Sequence, residues 1–200
     1  PVTDSIPPQQ GNQVAIGYTR ELKKGYRIGS EAYYKTMNNL IEYKEGASFF
    51  GSNQNWESLV EVGSGYSYGL EVLLEKRTGK TTGWIGYTLS WTNRQFANIN
   101  NGEEFPYRYD RRHDISFVLT HKFNEKFDIG VVWVYGTGNA ITLALQKYNS
   151  LGDGGFGPSE VNHIEQRNGY RMPSYHRLDV GLNYHKKTKW GESTWSFGVY

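Results

Sequence analysis

Residues 105–143, FPYRYDRRHDISFVLTHKFNEKFDIGVVWVYGTGNAITL, hold two alternating apolar runs separated by three residues, and no other stretch constrains the fold as tightly. Ile115, Phe117, Leu119, His121 and Phe123 share one face of the first run, and Phe127, Ile129, Val131, Trp133 and Tyr135 share one face of the second. A period of two is that of a strand, and Asn124, Glu125 and Lys126 are enough only to turn the chain straight back. The expectation is a β-hairpin. A three-residue turn sets Phe123 opposite Phe127, Leu119 opposite Val131, Phe117 opposite Trp133 and Ile115 opposite Tyr135, with Lys122 opposite Asp128 on the other face. A hairpin with one apolar face and aromatic residues at both ends either lines a soluble core or faces lipid.

Three further hairpins follow from the same alternation. Val14, Ile16 and Tyr18 return through Leu22-Lys23-Lys24-Gly25 to Tyr26, Ile28, Ala32 and Tyr34. With Gly79-Lys80 as a two-residue turn, Leu74 faces Ile85, Val72 faces Tyr87, Leu70 faces Leu89 and Tyr68 faces Trp91. Leu178, Val180, Leu182 and Tyr184 return through KKTKWGES to Trp195, Phe197 and Val199, so Tyr184 faces Trp195 and Leu182 faces Phe197. Residues 38–65 and 144–171 lose the alternation and read as long loops, and 97–104 as a shorter one. Residues 1–11 read as an extended lead-in.

Eight strands in four hairpins then alternate short turns, all at one end, with long connections at the other. That layout belongs to an outer-membrane barrel, whereas a sandwich crosses between sheets. The eight residues between the tight turn and Ile115 or Tyr135 span about 27 Å along a strand, or about 20 Å along a membrane normal at a tilt near 45°, close to the apolar band of such barrels. Phe123 and Phe127 would mark one aromatic rim, and Trp133 and Tyr135 the other. Val118, Val132 and Val134 face inward, which suits a lumen filled by another protein element.

Composition agrees with this layout. The chain has 16 Tyr, 6 Trp and 24 Gly but 2 Met, a bias toward sheets and turns. A mean hydropathy of −0.68 and the lack of any long apolar run exclude a transmembrane helix and leave a barrel open, because a barrel needs only alternate residues to be apolar. The net charge is +2 and the 22 Lys and Arg are spread along the sequence, so no nucleic-acid footprint is visible. The absence of cysteine excludes disulfides, thiolate metal sites and a cysteine nucleophile, and is compatible with the cytosol or a bacterial envelope. Pro1 opens the chain without a Met or signal peptide, and Tyr200 falls inside the run Trp195, Phe197, Val199. The expectation is a fragment of a longer chain.

The runs SEAYYKTMNNLIEY, GYSYGLEVLLEKRTGKTTGWIGYTLSWTNRQF, FPYRYDRRHDISFVLTHKFNEKFDIGVVWVYGTGNAITL and YRMPSYHRLDVGLNYHKKTKWGESTWSFGVY together resemble the C-terminal half of the barrel of TonB-dependent outer-membrane receptors, especially those of Bacteroidetes-type bacteria. The likeness covers nearly everything beyond Gln10 and rests on the combined runs. It implies an all-β fold, an antiparallel up-and-down meander of about eight strands forming part of a large transmembrane β-barrel, with residues 1–200 one piece of the barrel domain and the plug absent. It also implies transport of a scarce ligand (siderophore, glycan, peptide or cofactor class) across the bacterial outer membrane into the periplasm. The partners it implies are outer-membrane lipid, the plug of the full-length chain, the TonB energy-transducing complex through regions outside this chain, and a surface lipoprotein. The family barrel has 22 strands and continues past the equivalent of Tyr200 into a last strand. A soluble carbohydrate-binding sandwich or barrel and a passive porin are the alternative readings.

No enzyme, cofactor or metal site is expected. In the cluster Asp110, Arg111, Arg112, His113 and Asp114, neighbours on a strand point to opposite faces, which favours a rim network with Asp114 toward the lumen and the arginines pairing with carboxylates of neighbouring strands. His113, His121, His163, His176 and His185 lack a ligand spacing with a third partner. Gly136-Thr137-Gly138-Asn139 has no following Lys-Ser/Thr pair or helix, so it reads as a strand-to-loop transition. Glu31, Lys35, Glu71, Glu75, Arg77, Asp114, Lys122, Asp128, Arg177 and Asp179 fall on the lumen-facing side, where inter-strand pairing accounts for them and contact with a plug or ligand is the other reading. The candidate ligand-binding residues are the loop aromatics Phe49, Phe50, Trp56, Tyr148 and Phe156, since binding groups concentrate on loops over a rigid scaffold.

Overall fold

Period-two alternation becomes strand pairing wherever short turns pin the register. The computed structural model describes residues 6–44, 55–144, 146–150, 159–163 and 166–200. Its long strands are β1 (Gln10–Glu21), β2 (Tyr26–Tyr43), β3 (Val60–Lys76), β4 (Thr81–Gln95), β5 (His113–Lys122), β6 (Phe127–Gly136), β7 (Tyr175–Thr188) and β8 (Gly191–Val199). They lie side by side in chain order, each antiparallel to the next, as one up-and-down sheet. Among the described residues β1 and β8 each pair on one side only, so the sheet is open. Phe105–Pro106 add a short pair to β4, Ala140–Ile141 pair with Tyr170–Arg171, and Gln146–Ser150 pair with Ser159–His163.

Every register expected from the alternation is present. Ile115, Phe117 and Leu119 stand opposite Tyr135, Trp133 and Val131, and Lys122 stands opposite Asp128. Tyr68, Leu70, Val72 and Leu74 stand opposite Trp91, Leu89, Tyr87 and Ile85. Val14 and Ile16 face Tyr34 and Ala32, while Leu182 and Tyr184 face Phe197 and Trp195. The turns carry their own chemistry. The Asn124 side chain accepts from the backbone N–H of Lys126 (2.8 Å) and Phe127 (3.0 Å), closing the three-residue loop. Gly79, at φ +97°, heads the β3–β4 turn. The last turn is tighter than KKTKWGES suggests, since Thr188 already pairs with Gly191.

The two faces differ as the alternation requires. Val14 and Ile16 are each 77% exposed, Leu70 41% and Leu182 40%, and no second sheet covers that face among the described residues. The opposite face carries glycine, hydroxyl and charged side chains, interrupted by Tyr33, Leu73, Trp84, Val118, Val132 and Val134.

Two loop assignments are corrected. Residues 38–43 and 60–65 extend β2 and β3, pairing Leu40 with Gly63 and Tyr43 with Val60, so the connection runs only from 44 to 59. One extra residue in β2 between Met37 and Leu40 shifts the register, with Asn39 at φ +56°. Such a bulge inverts the alternation beyond it, which is why the apolar periodicity fades while the backbone ladder continues. The 144–171 segment likewise contains paired backbone.

The buried apolar core lies where β2, β3 and β4 run past the shorter β5. Leu40, Phe96, Ile99 and Phe105 form it, with Met37 packed alongside. A Cβ at Gly63 would collide with the Phe96 ring and the Gln95 carbonyl, so the absent side chain is what admits Phe96.

Candidate functional site

Two groups of residues are built on this sheet, one along its mixed face and one where the long connections fold back on the strand ends.

On the mixed face, pairing accounts for most of the charges. Glu75 accepts from Arg27 (3.4 Å) and Arg77 (3.0 Å), and Arg77 also reaches Glu21 (3.3 Å). Arg177 pairs with Asp179 (2.8 Å), and Arg111 with Asp114 (3.6 Å). Asp128 accepts from the Asn183 amide (2.8 Å) and contacts His185 Nε2 (2.5 Å), while His185 Nδ1 lies 3.1 Å from the Thr194 hydroxyl. Glu71 differs. It stands directly opposite Glu31, has no cation within ion-pair distance among the described residues, and borders a cavity of about 340 Å³ floored by Gly17, Gly29 and Gly86. Lys122 also lacks an ion-pair partner among the described residues, though its charge acts on Asp128.

Arg111 and Arg112 do not meet carboxylates of neighbouring strands as expected: Arg112 donates to the Ser90 carbonyl of β4 (3.0 Å), and the carboxylates within reach among the described residues are Asp110 and Asp114 of their own segment. The chain turns at Tyr107, whose carbonyl takes the Asp110 N–H at 2.8 Å, and this tucks the Asp110 carboxylate inward until only 2% of the residue is exposed. There it accepts the Thr92 N–H (2.7 Å) and pairs with Arg112 (3.4 Å) and with Arg171 from the distant connection. Burial draws the Arg112 guanidinium below its ordinary pKa, and the Asp110 carboxylate opposes that shift. The Thr137 hydroxyl accepts the N–H groups of Arg112 (2.9 Å) and His113 (3.0 Å), which gives the Gly136-Thr137-Gly138-Asn139 transition a structural role.

A second network binds the two connections together. Glu42 pairs with Arg94 (3.4 Å) and Arg167 (3.3 Å), and the Arg94 guanidinium lies 3.5 Å over the Tyr107 ring. The Arg167 N–H donates to Asn100 Oδ1 (2.8 Å), Asn168 Nδ2 donates to the Pro106 carbonyl (2.9 Å), and the Asn98 N–H donates to Glu61 (2.8 Å). Tyr109, packed edge-on against Tyr107 at 5.3 Å, is 60% exposed. The arrangement presents exposed aromatic and charged groups from a rigid base, which is binding chemistry.

Of the candidate loop aromatics, Trp56 opens a short 3-10 turn and lines a largely apolar cavity of about 270 Å³ with Ile41, Tyr43 and Val60. Phe49, Phe50 and Phe156 lie outside the described residues, and so does the side chain of Tyr148, which sits in the strand Gln146–Ser150. Arg94, Tyr107, Tyr109, Arg167 and Asn168 were not singled out from the sequence. The available signal was the pair of Phe96 and Phe105 flanking a polar loop, which marks a buried anchor. Among the described residues no three His, Asp or Glu side chains converge as metal ligands. No protein-family model matches the chain, and no curated protein is significantly similar to it.

Proposed function

We propose that the chain forms part of the wall of a TonB-dependent receptor barrel in the bacterial outer membrane, serving active uptake of a scarce ligand into the periplasm. The observation carrying this reading is the single-layer meander whose apolar face is uncovered along its length. A soluble sandwich would bury Leu70, Leu119, Val131 and Leu182 under a second sheet, and none lies over them among the described residues. In the barrel, the apolar face meets lipid. The mixed face, with its apolar side chains Leu73, Trp84 and Val132, lines a lumen occupied by a plug. The unpaired edges of β1 and β8 continue into further strands, since an open edge is not tolerated in hydrocarbon. The end of the sheet opposite the tight turns faces outward, where ligand and a surface lipoprotein are met, and the TonB complex acts from the periplasmic side.

Aromatic placement supports the reading. Tyr34, Tyr66, Tyr68 and Trp91 stack in a row at centroid spacings of 6.4, 6.2 and 5.0 Å on the apolar face. At the tight-turn end His121 packs on Phe123 (4.7 Å) and Phe127 on Tyr184 (4.9 Å). These are the positions of interfacial girdles. His121, polar on the apolar face, sits at this rim and bonds the Thr81 hydroxyl at 2.7 Å.

Single-tryptophan variants of the full chain in vesicles with brominated acyl chains test this. Quenching of Trp133 or Trp195 with little quenching of Trp84 is the expected result. Equal quenching of Trp84 and Trp133 would remove the distinction between lipid face and lumen face on which the reading depends.

A further inference from the structure

Cations spread along the sequence are not spread in space, because the meander returns four times to the same end. The turns and adjoining strand ends at 20–27, 75–80, 121–128 and 185–192 hold twelve of the chain's 22 Lys and Arg but five of its 20 Asp and Glu, a net of +7 in a chain of net +2. Backbone hydrogen bonds join the four turns into one continuous rim. The Arg77 N–H donates to the Gly25 carbonyl (2.9 Å), Lys122 to Lys80 (2.8 Å) and His185 to Lys126 (2.7 Å). Arg27 and Arg77 are neutralised by Glu21 and Glu75, whereas Lys23, Lys24, Lys80, Lys126, Lys186 and Lys189 have no ion pair among the described residues.

Next to this rim the apolar face is hollowed. Tyr26, Leu74, Lys76, Ile85, Phe117 and Leu119 surround a cavity of about 200 Å³. It exists because Gly83, directly opposite both Lys76 and Leu119, contributes no side chain to that row. Gly83 has φ +155°, and the Val118 carbonyl approaches too closely to admit a Cβ. The hollow is apolar except at its turn-side end, where Thr81, Thr82 and Glu75, the last paired with Arg27 and Arg77, also border it and Lys76 Nζ lies 4.3 Å from the centre of the Tyr26 ring.

We infer that the tight-turn rim docks anionic phospholipid, one molecule placing an acyl chain in the Gly83 hollow and its phosphate at Lys76. The inference rests on the membrane reading above and adds the lipid's charge and seat. Uncompensated cations ringing the end of an apolar wall match a negatively charged leaflet, and each cation near such a surface is worth roughly a fivefold gain in affinity. Phospholipid rather than free phosphate fits, because the cations border an apolar slot instead of converging on one point.

The test presents the full chain to vesicles of phosphatidylcholine alone and of phosphatidylcholine with phosphatidylglycerol, then measures binding of each labelled lipid to the inserted protein. The expected result is that phosphatidylglycerol binds about tenfold more tightly than phosphatidylcholine and that added salt erodes the difference. Lys76→Gln should lose about fivefold in phosphatidylglycerol binding, while Lys44→Gln, at the opposite end of β2, should lose nothing. Equal binding of the two lipids overturns the inference, as does equal loss in both variants or displacement by inorganic phosphate at lipid-equivalent concentration. Insertion without lipid preference removes only this inference. Failure to enter either vesicle removes the membrane reading and this inference with it.

Discussion

Leu119 and Val131 stand directly opposite one another across the β5–β6 hairpin, on the face that no other element covers among the described residues. Thr120, one position on, stands opposite Gly130 and points to the other face. In a bilayer, Leu119→Arg should cost about 2–4 kcal/mol, because a guanidinium on the lipid face must be desolvated or drawn to the interface. Thr120→Arg should cost much less. Denaturant titration of both variants in vesicles measures the contrast, and equal penalties would contradict the inside–outside alternation.

The bulge in β2 depends on Asn39, held at φ +56° with its side-chain amide donating to the Pro8 carbonyl at 2.9 Å. Asn39→Val should destabilise the hairpin by about 1–2 kcal/mol, since a β-branched residue is strained in that region. Asn39→Gly should cost only the exposed hydrogen bond. If the two variants unfold at the same denaturant concentration with unchanged slope, the bulge is not under this backbone control.

Phe105 is 1% exposed and packs on Phe96 at 6.0 Å between ring centres. Phe105→Ala should cost about 3–5 kcal/mol through lost burial and a cavity that the surrounding turns cannot fill. Faster hydrogen exchange at the Tyr107 N–H, which donates to the Thr92 carbonyl at 2.9 Å, would place the loosening in this connection. Unchanged exchange there would show that the cluster does not anchor the 96–106 segment.

Asp110→Ala strands two guanidinium groups and the Thr92 N–H together. The expected cost is about 1–3 kcal/mol, below the 3–5 of a fully buried pair because Arg112 and Arg171 both reach solvent. Asp110→Asn keeps an acceptor for Thr92 and loses the ion pairs, so it should fall between wild type and Asp110→Ala. Increased protease cleavage near Arg171 in both variants is the readout. Cleavage confined to Asp110→Ala would assign the anchoring to the Thr92 bond.

The parts of the fold legible beforehand were those held by local rules. Leu70 opposite Leu89 and Phe117 opposite Trp133 follow from a period of two and a turn too short to allow slippage. The extension of β2 through Tyr43 was not legible, because one bulge residue reverses the face of every residue after it and scrambles the apolar pattern. The candidate site was less legible still. Arg167 meets Glu42 across 125 positions of sequence, and no periodicity connects them.

Alternation by itself determined the eight long strands up to the β2 bulge, their hairpin pairing and which side chains share a face, since backbone pleating converts sequence parity into direction without reference to the rest of the molecule. Only the tertiary structure decided what gathers at the ends of those strands. At one end, Asp110, Arg112 and Arg171 meet because a connection folds back over β4. At the other, lysines more than a hundred residues apart form one rim because antiparallel strands with short turns keep returning to the same edge, and Coulomb interactions depend on distance in space rather than along the chain.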